Sequence, residues 1–245
     1  KTGALAGTVI IMNPQNGEIM AMASSPRADI NQYWSTDYLD IINNHENVFN
    51  YAIKSYEPGS VVKVLTMAAA LDAGVVEPNT EFIDEGEIEI GGVTIKNWNE
   101  KAWGPQNMTS CMQNSLNVCL AWVATEMGKD NFYAYMQDFG IGRRTNIDLG
   151  GEEIWPLSTP GDSDWYPIQL ATKSFGQGVA VTPIQMATAV SAVANDGRIM
   201  KPHVLKAIIQ DGRQYNATPQ VLSVPIKTET ARLMTDILVE SLKEE

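Results

Sequence analysis

The stretch YEPGSVVKVLTMAAALDAG, from Tyr56 to Gly74, restricts the fold more than any other part of the chain. Pro58 and Gly59 set a sharp entry, the residues from Ser60 to about Ala73 read as one unbroken helix, and Gly74 closes it as a C-terminal cap. A helix needs neither a serine at its first position nor a lysine one turn later. Here Ser60 and Lys63 hold those places, the lysine among Val62, Val64 and Leu65.

The rest of the chain reads as hairpins around helices. GTVIIMNPQNGEIMAMASSP is two apolar runs joined by a Pro/Asn/Gly turn, a β-hairpin. Both runs are apolar enough to predict a sheet covered on both faces. Residues 27–50 lack periodicity and read as a long site-lining loop. EFIDEGEIEIGGVTIKNW predicts a smaller hairpin turning at Gly91 and Gly92. Met108 to Met127 has helical period interrupted by the polar QNSLN, and KDNFYAYMQDFG is a short helix ended by Gly140. A Gly/Pro/Trp-rich loop follows. Thr182 then caps a helix with Pro183 in its first turn, HVLKAIIQDGRQYNA is a last hairpin, and Thr228 to about Lys243 is a last helix. Strands at the two ends with helices between them give an α+β fold, an antiparallel sheet with a helical subdomain. Too few long strands are present to complete that sheet, so its C-terminal strands are expected to be missing.

With 245 residues, 44% of them hydrophobic, the chain can build a sizeable core, and neither a repeat nor a composition break divides it, so residues 1–245 read as a single, partial domain. Its 17 basic and 29 acidic residues give a net charge of −12, which argues against nucleic acid or an anionic lipid surface as main partner. It holds no apolar run long enough to span a bilayer and no leader sequence, although both are compatible with a position upstream of a fragment. Cys111 and Cys119 lie about 12 Å apart along a continuous helix, too far for a disulfide, and read as buried apolar groups. His45 and His203 have no neighbours at metal-ligand spacing, so neither a metal nor a cofactor is expected.

Ser60 stands where backbone N–H groups are free and the helix dipole favours negative charge, a place for an oxyanion. Lys63 is three residues on, on the same face, with Cβ atoms about 5–6 Å apart. Burial among apolar residues disfavours the ammonium, and a neutral amine can take the serine proton near neutral pH. Alone, a Ser-x-x-Lys is expected by chance about once in a chain of this length. A second element adds weight: Ser115, Leu116 and Asn117 place a hydroxyl and an amide inside an apolar helical stretch, either as a helix junction or as a proton relay and a substrate-binding amide.

EPGSVVK and NSLNV, preceded by GTVIIMNPQNGEIMAMASSP and followed by FGIGRRTNIDL and SFGQGVAVTPIQMATAVSAVANDGRIMKPH, closely resemble the transpeptidase domain of class B penicillin-binding proteins, in that family's order and over nearly the whole chain. The resemblance implies a β-lactamase/transpeptidase-like fold. It implies that Ser60 is the nucleophile, acylated by a D-Ala-D-Ala stem peptide of peptidoglycan or by a β-lactam antibiotic, that Lys63 is its base, that Ser115 shuttles the proton to the leaving group, and that Asn117 binds the substrate amide. Trp98 is similar to a family aromatic beside the cleft. The family's third motif, Lys-Thr/Ser-Gly-Thr, is expected on a strand beyond the last helix. The triplet Lys1, Thr2, Gly3 precedes the first strand and reads as accidental. The resemblance further implies a membrane anchor and pedestal outside this chain, a location on the cell-wall side of the bacterial membrane, and partners from the division or elongation machinery. Two other readings are a serine β-lactamase and a non-catalytic β-lactam-sensing or binding module. Against the first stand Leu116 at the centre of the second motif and the absence of a clear deacylating glutamate, since Glu152 and Glu153 read as solvated loop charges.

Overall fold

The computed structural model describes residues 3–4, 6–25, 31, 34–35 and 50–243. Most of the loop expected over residues 27–50, His45 within it, and Lys1 and Thr2 lie outside the described residues. In chain order the elements are β1 (Gly7–Met12), β2 (Ile19–Ser25), α1 (Lys63–Asp72), β3 (Glu81–Asp84), β4 (Glu87–Ile90), β5 (Val93–Lys96), β6 (Gly104–Asn107), α2 (Met108–Gln113), α3 (Asn117–Met127), α4 (Lys129–Asp138), α5 (Ile168–Ser174), α6 (Pro183–Ser191), β7 (Ile199–Met200), β8 (Ala207–Gln210), β9 (Arg213–Asn216), β10 (Val221–Ser223) and α7 (Thr228–Ser241).

The centre is helical. In α1 every residue from Leu65 to Ala70 has no exposed surface, and in α3 the same holds for Cys119, Leu120, Ala121, Val123 and Ala124. Helices apolar all round must be enclosed on all sides. α4, α5 and α7 supply the enclosure, α7 through Ala231, Met234 and Ile237 on one face. Small residues in the middle of α1, Ala68 to Ala70, let these neighbours approach closely.

Described strands pair two by two, all antiparallel. β4 and β5 turn through Gly91 and Gly92 at φ 60° and 78°, the paired positive dihedrals that suit a tight hairpin and that only glycine adopts without strain. The β1–β2 hairpin forms as expected but is covered on one face only. Ile10, Met12 and Met22 pack with Ile19, Ile53, Ile147 and Ile184, while Val9, Ile11 and Met20 are more than half exposed. Period-two alternation sends neighbours to opposite faces, and among the described residues nothing lies over the second one. The sequence did not predict the pairing of β3 with β6, that of β7 with β10, or the α5 helix within the Gly/Pro/Trp-rich loop.

Glu152, read as a solvated charge, is buried. Its carboxylate accepts from Thr145 N (2.8 Å), Thr145 Oγ1 (2.7 Å) and Asn146 N (3.1 Å), organising its own loop. Glu153 is a surface partner of Lys54 (2.7 Å).

Two lysines are buried in this core, Lys63 in α1 and Lys173 in α5. Lys173 Nζ donates to Ser158 O (2.6 Å) and Gln169 Oε1 (3.0 Å), and burial holds its pKa down to about 8, as it does for Lys63. The unfolded chain keeps both protonated up to about pH 10.5, so between pH 8 and 10 it binds more protons than the folded domain and stability gains from rising pH. Tyr133 and Tyr135, pushed up to about 12 chiefly by burial, act oppositely above pH 10. Urea midpoints between pH 8 and 10 are expected to rise less in Lys173→Met than in the parent; equal slopes would refute the assignment.

Candidate active site

Two chain segments meet at Lys63. Ser60 lies in a 3-10 turn, Gly59–Val62, that winds directly into α1, and the Lys63 backbone N–H donates to Ser60 O. The serine is exposed, whereas the lysine is 1% exposed. The lysine is shut away from water, and this burial lowers its pKa from 10.5 to about 8. Lys63 Nζ donates to Ser115 O (2.7 Å) and Asn117 Oδ1 (2.8 Å) and lies 3.0 Å from Ser115 Oγ. Lys63 is therefore brought together with Ser115 and Asn117, 52 and 54 residues away in the chain, and Ser60 is tied to Lys63 through the backbone of its turn. Among the described residues no group hydrogen-bonds the Ser60 hydroxyl, and the amine points at the second motif. Catalytic hydrogen bonds are commonly long until substrate binds.

The second motif is a break between helices. α2 ends at Gln113, Ser115 takes a left-handed conformation at φ 50°, and the closing bonds Ser115 N to Met112 O (3.1 Å) and Leu116 N to Cys111 O (3.0 Å) make a Schellman end with serine in the usual glycine position. A non-glycine residue there costs roughly 1 kcal/mol or more. Glycine would relieve that strain but would have no hydroxyl for Lys63.

This break also brings Cys111 and Cys119 to a Cα separation of 6.1 Å, and they form a disulfide. The expectation of two separate buried thiols is thereby corrected: it assumed a continuous helix, and the left-handed Ser115 folds α3 back toward α2. The bridge spans the motif, with one cysteine on each side of it. Reducing it releases a ring of about nine residues, which chain entropy values at about 2.5 kcal/mol. Urea unfolding with and without reductant is expected to differ by that order, with slower acylation of the reduced form; unchanged rates would show that the turn holds without the bridge.

Residues 174–181 buttress the serine turn. Gly59 N donates to Gly176 O (3.1 Å), Gly178 N to Glu57 Oε1 (2.9 Å), Thr66 Oγ1 to Ser174 O (2.8 Å), and Tyr56 and Val181 exchange backbone bonds. A Cβ on Gly176 would stand 2.0 Å from Gly59 O, so only glycine fits there. The sequence alone does not place SFGQG in the site; its two closely spaced glycines are the signal, and in the structure both take positive φ. Trp98 is 69% exposed, and its Nε1 donates to Asn114 O (3.3 Å), which puts the ring beside the second motif.

Residues 7–245 match the model of the penicillin binding protein transpeptidase domain. The chain belongs to that family. The transpeptidase domain is 38% identical over 201 residues to stage V sporulation protein D of Bacillus subtilis, covering 80% of this chain and 30% of that protein. It is 32% identical over 228 residues to the peptidoglycan D,D-transpeptidase MrdA of Escherichia coli K12, covering 86% of this chain and 36% of that one. Among solved structures it superposes on the D,D-transpeptidase domain of a peptidoglycan glycosyltransferase from Eggerthella lenta with TM-score 0.89 at 26% identity, over 98% of this chain and 62% of that chain. Penicillin-binding protein 3 of Mycobacterium tuberculosis complexed with aztreonam gives TM-score 0.88 at 26% identity, over 100% of this chain and 53% of that one. The domain thus has the α+β transpeptidase fold of class B penicillin-binding proteins and spans about a third of the length of these curated relatives.

Proposed function

We propose that this domain is the catalytic part of a peptidoglycan D,D-transpeptidase that cross-links stem peptides through a serine acyl-enzyme. The observation that carries the reading is the buried Lys63 amine, one turn after Ser60 and within 3.0 Å of Ser115 Oγ and Asn117 Oδ1.

Ser60 Oγ attacks the carbonyl carbon of the penultimate D-alanine while Lys63 Nζ, neutral in the reactive form, takes the hydroxyl proton. Collapse of the tetrahedral intermediate breaks the peptide bond, and terminal D-alanine leaves with a proton delivered through the Ser115 hydroxyl. The amine of a second stem peptide then attacks the ester, forms the cross-link and frees Ser60. Asn117 Nδ2 spends one N–H on Lys96 O (3.1 Å), which leaves the other for a substrate carbonyl. Trp98 borders the same cleft. A β-lactam follows the first half: its ring amide opens, the amine remains tethered, and the acyl-enzyme persists.

The substrates on this reading are peptidoglycan stem peptides, with β-lactams as covalent inhibitors, outside the cytoplasm on the cell-wall side of the membrane. The disulfide suits an oxidising compartment. No helix of the described residues is long and apolar enough to cross a membrane; on this reading a separate segment anchors the protein, and proteins of the division or elongation machinery are its partners.

The test is release of D-alanine from a D-Ala-D-Ala-ended stem peptide, with cross-linked dimers formed when an acceptor amine is supplied. Release without dimers, at rates set by water, would mark a carboxypeptidase. Rapid turnover of penicillin would mark a β-lactamase, and no reaction with either substrate a binding module.

A further inference from the structure

Three consecutive residues, the last of β5 and the two that follow it, grip the second motif. Lys96 O accepts from Asn117 Nδ2 (3.1 Å), Asn97 Oδ1 accepts from Val118 N (3.2 Å), and Trp98 Nε1 donates to Asn114 O (3.3 Å). The contacts fall on both sides of the Ser115–Leu116 turn. Leu116, the residue capping α3, has no side-chain oxygen, so a free N–H at the start of that helix is satisfied by Asn97 from a separate segment.

Asn97 is itself held from behind. It is 2% exposed, and its Nδ2 donates to Asp84 Oδ2 (2.7 Å) and Lys101 O (3.2 Å). Both of those neighbours are acceptors, so only the NH2 end of the amide can face them and the oxygen must face Val118. Asp84, 1% exposed at the end of β3, also accepts from Gly86 N (3.2 Å) and Trp103 N (3.1 Å). No lysine or arginine pairs with it among the described residues. Its carboxylate gathers the turn after β3, the strap at Asn97 and the return to β6. The same strap turns the Asn117 amide: with Nδ2 on Lys96 O, Oδ1 faces Lys63 Nζ at 2.8 Å.

We propose that Asp84 and Asn97 are positioning residues for the transpeptidase reaction, a buried pair that locks the Lys96–Trp98 strap and through it sets Ser115 and Asn117 against Lys63. This rests on the catalytic reading above. It assigns work at the site to two residues that touch neither substrate nor Ser60.

In Asp84→Asn one oxygen is replaced by an NH2, so a donor faces Asn97 Nδ2 or Gly86 N; in Asn97→Asp two acceptors face each other. Either clash frees the strap. The paired change Asp84→Asn with Asn97→Asp recreates a donor and acceptor across the gap and keeps an oxygen toward Val118, while leaving an oxygen against Lys101 O and an NH2 against Trp103 N. Each single variant is expected to acylate Ser60 with penicillin at least about ten-fold more slowly per folded molecule, well below its melting temperature, and the pair to recover part of that loss, the Lys101 O and Trp103 N contacts staying mismatched, as a double-mutant cycle reads coupling. Hydrogen exchange at the Val118 amide is expected to quicken in both singles and slow again in the pair. A core control, Met234→Ala, is expected to lower stability with the acylation rate unchanged.

Single variants that acylate at the parent rate, or a Val118 amide that exchanges alike in all forms, would overturn the proposal. If the parent protein is not acylated at Ser60, the catalytic reading has failed instead. The exchange data then still decide whether the pair holds the turn.

Discussion

Replacement of Ser60 by alanine is expected to abolish covalent labelling by a fluorescent penicillin and leave the fold intact. The hydroxyl is exposed and hydrogen-bonded by no described residue, so its loss leaves no buried partner orphaned, and an exposed Ser→Ala change of this kind shifts stability by less than about 0.5 kcal/mol. The 3-10 turn is tied to the neighbouring segment by the Gly59 N to Gly176 O backbone bond, which alanine at position 60 preserves. Intact mass after incubation with penicillin, followed by mapping of the modified peptide, reads the result. The parent gains one antibiotic mass on the Ser60 peptide and the variant gains none. Label that persists in Ser60→Ala, on Ser115 or elsewhere, would remove Ser60 from the role of nucleophile.

Replacement of Lys63 by methionine is expected to slow acylation by about 10²- to 10⁴-fold, the range a positioned general base contributes. Methionine keeps the apolar volume but cannot accept a proton. Its structural effects oppose each other: Ser115 O and Asn117 Oδ1 lose a donor, at about 1–3 kcal/mol, and the burden of a buried amine is removed. Net stability therefore changes less than the rate. The two effects separate cleanly when the rate is measured on folded protein at low temperature. In the parent, acylation is expected to rise with pH and level off above about 8, because only the neutral amine takes the proton and burial holds its pKa there. A rate flat from pH 6 to 9, or a Lys63→Met variant that acylates normally, would show that the proton goes elsewhere.

Much of this arrangement was legible before folding. Ser60 and Lys63 are three residues apart, and helical geometry alone places them on one face. Gly74 and Thr182–Pro183 mark a helix end and start by local dihedral and capping preferences, and the structure keeps both. The hairpin at Gly91–Gly92 follows from the same local rules. β6 was hidden because Pro105 lowers the expectation of a strand, yet the two-stranded β3–β6 pair has an edge where a missing N–H is tolerated. α5 was hidden because seven residues in a proline- and glycine-rich stretch give too little periodicity to read.

The sequence by itself determined the chemistry available and its local presentation: which residues carry a hydroxyl, an amine or an amide, and which of them share a turn of helix. Such relations act over a few residues, where bond geometry and capping dominate. Only the tertiary structure decided that Lys63 turns its amine toward Ser115 and Asn117, that Cys111 reaches Cys119 across a broken helix, and that Asp84 and Asn97 stand behind the second motif. Each of these depends on packing between segments distant in the chain, or on one residue, Ser115, held in a conformation it would not choose alone. The Ser115 N–H to Met112 O and Leu116 N–H to Cys111 O bonds hold that conformation, and the Lys63 amine closes on it from a segment 52 residues away.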